Sequence, residues 1–240
     1  MNPALTIARK EYDLSLRSPG TYIILAVYLL FVGGYFALTA LKIRVADMRS
    51  TFSVMHMFFL FYIPASTMGS IAKERSSGTL ELISTLPLKL GQIIWGKFLA
   101  AWLLLGTLLV FTLVFPVLIL FYGIGTDLGA ILTGYIGLLC AGAAFIAIGI
   151  FASSISTSQV LSFVLALAIC GLFYLLGRIG DLIPLKIFGL IEYLGFDYHL
   201  ENFLKGVLDT RDLLYFAVVT FIFLYLAQLR LQAQNMLQER

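Results

Sequence analysis

Six apolar runs, near residues 21–41, 52–72, 98–122, 130–152, 159–177 and 213–231, limit what this chain can fold into. Each is long enough to cross a bilayer core of about 30 Å, which takes roughly 20 helical residues. At that run length only helices satisfy every backbone group in lipid. The runs therefore predict an all-α integral membrane protein with six transmembrane helices. Composition agrees: 60% of the 240 residues are hydrophobic and 12% charged, against about 25% charged in an ordinary soluble domain. The first run lies behind a charged segment and is too long for the core of a cleavable leader, so it reads as a retained span. Tyr22, Trp95, Tyr122, Tyr174 and Tyr215 sit near run ends, as interface anchors do.

The segments between the runs carry the remaining signals. In residues 3–17, Leu5, Ala8, Tyr12 and Leu16 share one helix face, while Thr6, Arg9, Lys10, Asp13 and Arg17 share the other. Pro3 suits a first helical turn and Pro19-Gly20 ends the helix. An interfacial helix is expected, serving as a membrane anchor or as a partner contact. The fourth run holds Gly134, Gly137, Ala141, Gly142, Ala143, Ala144, Ala147 and Gly149, small residues that allow close helix approach. Between the last two runs, Leu200, Phe203, Leu204, Val207 and Leu208 form a helical stripe. Short helices at the outer interface are predicted there, interrupted by Pro184 and Gly195. With both termini inside, nine basic residues fall on the inner side and seven on the outer, a bias too small to set orientation.

What is missing from the runs excludes several function classes. Apart from Cys and Tyr, their titratable side chains are His56, near the end of the second, and Arg230, one residue before the end of the sixth. Ion-coupled carriers place acidic, basic or His residues mid-membrane, so energy for this chain has to come from elsewhere. A lone histidine at that position reads as interfacial. Cys140 and Cys170 lie in apolar runs and read as small packing residues. The basic residues form no stripe suited to nucleic acid. Gly91 to Phe98 matches G-x-x-x-x-G-K, but Phe98 stands where a phosphate loop needs Ser or Thr, and no strand precedes it. No nucleophile–base arrangement and no metal-ligand spacing appears, so the chain is expected to be no enzyme and to hold no cofactor or metal.

The exception to the apolar character is residues 73–97, KERSSGTLELISTLPLKLGQIIWGK. Ser76, Ser77 and Thr79 offer capping hydroxyls, and Glu81 falls in a first turn, where a carboxylate favours the helix dipole. Leu80, Ile83 and Leu86 recur at turn spacing, and Pro87 stops the helix. A short helix lying crosswise between two spans is predicted. Its chemistry fits lipid headgroups and a protein partner equally well.

Three stretches add a resemblance. Glu74 to Pro87 (ERSSGTLELISTLP), followed by Gly96 to Ala100 (GKFLA), resembles the cytoplasmic loop of ABC-2 type transporter permeases. Ala143 to Ser154 (AAFIAIGIFASS) resembles the fourth span and second cytoplasmic turn of that group. Phe203 to Phe216 (FLKGVLDTRDLLYF) resembles the segment entering its sixth span, and narrows the likeness to the gliding-motility-associated subgroup, relatives of the permease of nitrous-oxide-reductase maturation. The similarity covers nearly the whole chain. It departs at Gly195-Phe196-Asp197, where a Ser-Pro type turn would precede His199.

The resemblance implies a single ABC-2 transmembrane domain over 1–240, in the bacterial inner membrane with both termini cytoplasmic. It implies that 73–97 carries a coupling helix for a cytoplasmic ABC ATPase, which itself holds the ATP and Mg. Glu74, Arg75, Gly78, Thr79, Leu80, Glu81 and Pro87 would make that contact, and Ser154, Ser156 and Thr157 a second, smaller one. Helix 3–17 would brace the ATPase, and 178–212 would form an outer gate with Phe203, Leu204 and Val207. A second permease subunit, identical or related, and a periplasmic accessory protein are the other implied partners, besides membrane lipid. Two further functions stay open: transmission of mechanical work to periplasmic partners without transport, and a scaffold for a maturation complex.

Overall fold

A computed structural model describes residues 3–39, 48–78, 89–122, 127–182 and 192–238. Among the described residues all regular structure is helical. In chain order the helices are α1 (Pro3–Arg17), α2 (Pro19–Phe36), α3 (Arg49–Thr67), α4 (Ala72–Ser76), α5 (Leu90–Thr112), α6 (Val114–Tyr122), α7 (Leu128–Ile155), α8 (Gln159–Leu182), α9 (Phe196–Leu204) and α10 (Thr210–Gln238). Six segments are long and apolar enough to cross a membrane: Pro19–Thr39, Arg49–Ser76, Leu90–Phe121, Leu128–Ile155, Gln159–Arg178 and Thr210–Gln234. They match the six runs, with one informative shift. The third begins at Leu90 rather than near 98, so Gly91 to Lys97 is helix interior and the G-x-x-x-x-G-K match is not a loop.

The same segment is broken at Leu113, between α5 and α6. Pro116 causes this, since it has no N–H to give the carbonyl of Thr112 and its ring crowds that turn. The released carbonyl is not left bare: Tyr135 of α7 donates its hydroxyl to Thr112 O at 3.0 Å. A kink in one span is thus tied to a polar group on the next.

The bundle is organised around α7, the most buried span, which touches α3, α5, α8, α9 and α10. Its glycines set those distances. A Cβ added at Gly134 would fall 2.4 Å from the Phe52 ring, at Gly137 2.7 Å from Phe203, at Gly142 2.1 Å from Leu105, and at Gly149 2.1 Å from Thr67 Oγ1. Lipid is as apolar as the core, so close van der Waals contact of this kind is what holds membrane helices together. By contrast α2 is largely exposed and packs through Tyr28, whose ring stacks on Phe59 at 6.0 Å.

Helix α1 runs beside α5, from Gly96 to Thr107. Gly96 admits Ile7 and the Ala4 carbonyl, and Tyr12 Oη meets Thr107 Oγ1 at 2.8 Å. The packed face is Ile7, Ala8, Glu11 and Tyr12, and Leu5, assigned to that face from the sequence, is exposed instead.

Two glycine substitutions separate packing from propensity. Gly149→Ala is expected to lower the thermal unfolding midpoint in detergent, reflecting about 1–3 kcal/mol of overpacking. Gly171→Ala, with nothing within 4 Å of the new Cβ, is expected to be neutral or mildly stabilising, since Ala favours helix over Gly. Equal effects would show that α7 does not set the packing distance.

Candidate functional site

The charged insert is fastened to the bundle at its root. After α3 the chain turns through Met68–Ile71 into α4, which leaves first-turn N–H groups without helical partners. Ser153, near the end of α7, supplies the missing acceptor. Its Oγ takes hydrogen bonds from Ile71 N and Ala72 N, both at 3.0 Å, and donates to Met68 O at 3.1 Å. Ser153 is buried, so it serves as a cap lent from another helix.

Arg75 makes the reciprocal contact. Its Nη1 donates to Ser156 O at 2.8 Å, and its Nη2 donates to Ser154 O at 2.6 Å and to Gln234 Oε1 of α10. The last carbonyls of a helix lack partners and carry partial negative charge, so a guanidinium fork suits them in geometry and sign. Gly78 then closes α4 at φ +71°, a left-handed value that costs Gly least.

A second network joins three helices. Lys97 is buried in α5, and its Nζ reaches Glu74 Oε1 at 2.6 Å and Glu11 Oε1 of α1 at 3.2 Å. Removing a buried cation strands its carboxylates, which costs about 3–5 kcal/mol in a dry pair. Glu11 is a third exposed, so Lys97→Met is expected to cost less, about 2 kcal/mol. Glu11→Gln in the Lys97→Met background should recover part of that loss, measured as unfolding midpoints. No recovery would contradict direct pairing.

At the opposite end of α7, α9 lies on the bundle with Phe196 and Phe203 fully buried and Leu204 nearly so. Thr133 Oγ1 donates to Phe203 O at 2.7 Å, and Gly206 ends the turn at φ +89°. Val207 is exposed. Both histidines of the chain converge here. His56 is fully buried in the bundle, and its Nδ1 lies 2.9 Å from Asp197 Oδ1. Asp197 Oδ2 accepts from Arg178 Nε at 2.5 Å. On the other side His199 Nδ1 lies 2.6 Å from Asp212 Oδ1 and its Nε2 2.8 Å from Tyr193 O, while Asn202 donates to Asp212 Oδ2 at 2.8 Å.

Burial pushes the Asp197 carboxyl up, but hydrogen bonding and charge from His56 and Arg178 outweigh it and leave the group below its ordinary value. A carboxylate lowered on folding contributes fully above its unfolded value of about 3.9, and that contribution is lost as pH falls through the folded value. Parent and Asp197→Asn should therefore differ in unfolding midpoint at pH 5–7, and the gap should narrow as pH drops from about 4 to 3. A gap constant to pH 3 would contradict the pairing.

The residues singled out from sequence separate into three groups. Glu74 and Arg75 turn inward to Lys97 and to the end of α7, with Gly78 exposed beyond them. Ser154 and Ser156 are buried and meet Arg75 through their carbonyls, leaving Thr157 exposed. Thr79, Leu80, Glu81 and Pro87 lie outside the described residues. Sequence reasoning missed the pairing roles of Ser153, Glu11, Gln234, Asp197 and Asp212. Only the last two had a usable signal, as carboxylates within the segment around His199 in a chain poor in charge.

Six apolar helices around a small-residue core define a multi-pass membrane domain. The family model for ABC-2 family transporter protein matches residues 37–207. That is well over half of the chain, and the chain belongs to the ABC-2 transporter family as a permease-type membrane subunit, generally non-enzymatic. No curated protein sequence matches it significantly.

Proposed function

We propose that this chain is the permease subunit of an ATP-driven transporter in a bacterial inner membrane, with both termini cytoplasmic. A separate ATPase, holding ATP and Mg, engages the 73–97 loop through Thr79, Leu80 and Glu81. Thr157 adds a second contact and α1 a lateral brace. Two such subunits, identical or related, complete the pathway, and the subgroup is the gliding-motility-associated one, on the likeness of Phe203 to Phe216.

One observation carries this reading. The loop's root is fixed by Ser153 and Arg75 to one end of α7, and α7 reaches α9 at its other end. A push on the loop is thereby delivered to the most buried span of the bundle. Lys97 extends the same root to α1 through Glu11. The exposed faces of the spans are apolar, with Leu30, Phe31, Val110, Phe121 and Val160 outward, so charged cargo has no evident path along them. Lipid, lipoprotein or peptide cargo fits better, as does mechanical work on a periplasmic accessory protein.

Affinity purification of the full chain from native membranes is expected to bring down an ATP-hydrolysing subunit. Glu81→Lys should reduce its recovery at least about tenfold, as charge reversal at a docking contact does. Full recovery of an ATPase with Glu81→Lys, or no ATPase with the parent, would overturn the proposal.

A further inference from the structure

The outer helix α9 is held on two sides by attachments of opposite character. On the α10 side every polar atom of the attachment is used. His199 has partners at both nitrogens and Asp212 at both oxygens. The imidazole also stacks on Tyr215 at 3.8 Å, and the pair is dry, with side chains 0% and 4% exposed. A satisfied polar network in a low-dielectric site is rigid, because opening it strands all its members at once.

On the α3 and α8 side the attachment is incomplete. Asp197 holds both His56 and Arg178, but His56 Nε2 and Tyr174 Oη are buried with no partner. Their rings lie 5.5 Å apart, and Arg178 caps Tyr174 at 4.6 Å from its centroid while remaining half exposed. Two unsatisfied buried polar atoms penalise the closed state, and water reaching them on opening would remove that penalty. The adjoining contact is backbone on backbone, with a Cβ added at Gly195 falling 2.1 Å from Gly177 Cα, and beside it Phe196 stacks on Phe173 of α8 at 5.0 Å.

We infer that Asp197 is a latch. Its carboxylate, shared between His56 of α3 and Arg178 of α8, fastens α9 across a seam that opens, while the His199–Asp212 pair keeps α9 attached to α10. The use of this seam as the outer gate of a transporter rests on the permease reading above; the asymmetry of the two attachments does not. Cys170, one turn before Tyr174 on α8 and fully buried, is a built-in reporter of the seam.

The test is the rate at which a water-soluble maleimide labels Cys170 in the full-length protein carrying Cys140→Ser, in lipid nanodiscs without any ATPase. Asp197→Asn and, separately, Arg178→Gln are expected to raise that rate at least about tenfold, as a local opening equilibrium shifts. Arg178→Gln leaves the buried His56–Asp197 pair in place, so it reports even where Asp197→Asn folds poorly. Cys140, in matching Cys170→Ser proteins, should label at an unchanged rate. Unchanged Cys170 labelling in the folded variants would overturn the latch, and so would a parallel rise at Cys140, which marks general loosening. An ATPase missing from the purified parent would instead count against the permease reading alone.

Discussion

The closeness of α7 to its neighbours is the constraint on which the rest depends. In lipid no hydrophobic drive pulls apolar helices together, so contact distance decides whether a bundle holds. Gly134, Gly137, Gly142 and Gly149 let Phe52, Phe203, Leu105 and Thr67 rest against the α7 backbone. Because those neighbours belong to α3, α5 and α9, one helix fixes the positions of most of the others. Several polar groups then serve where the apolar packing leaves backbone unpaired: at the Pro116 kink, at the start of α4, and at the end of α7.

The two ends of α7 carry different chemistry. At one end, Ser153 and Arg75 join α4 to the last turn of α7 through backbone groups, and Lys97 ties α1, α4 and α5 into one charged cluster. At the other, buried histidine–aspartate pairs hold α9. Among the described residues these charged clusters lie at the two ends of the bundle, consistent with the cost of placing charge mid-membrane.

The spans and the small-residue seam were legible because both are written in local patterns: run length for one, spacing of Gly and Ala for the other. The Lys97 cluster was not. A lysine just before an apolar run reads as loop, whereas α5 begins seven residues earlier and carries Lys97 into the bundle. Arg75 was legible as a contact residue but not its direction, because its partners are the carbonyls of Ser154 and Ser156, and a carbonyl has no sequence signature. The partner of His56 was not legible, because Asp197 is distant in sequence. The departure at Gly195-Phe196-Asp197 did flag the right place: Gly195 makes the close approach to Gly177 and Asp197 makes the latch.

The central claim is that the loop root and the end of α7 move as one piece. Spin labels at the exposed positions Ser76 and Thr157, in the proposed assembly with an ATPase reconstituted in lipid, measure this directly. The account predicts one narrow separation, the same in nucleotide-free and ATP-trapped states, which broadens in Arg75→Gln. A separation in the parent that changes between the two states would contradict it.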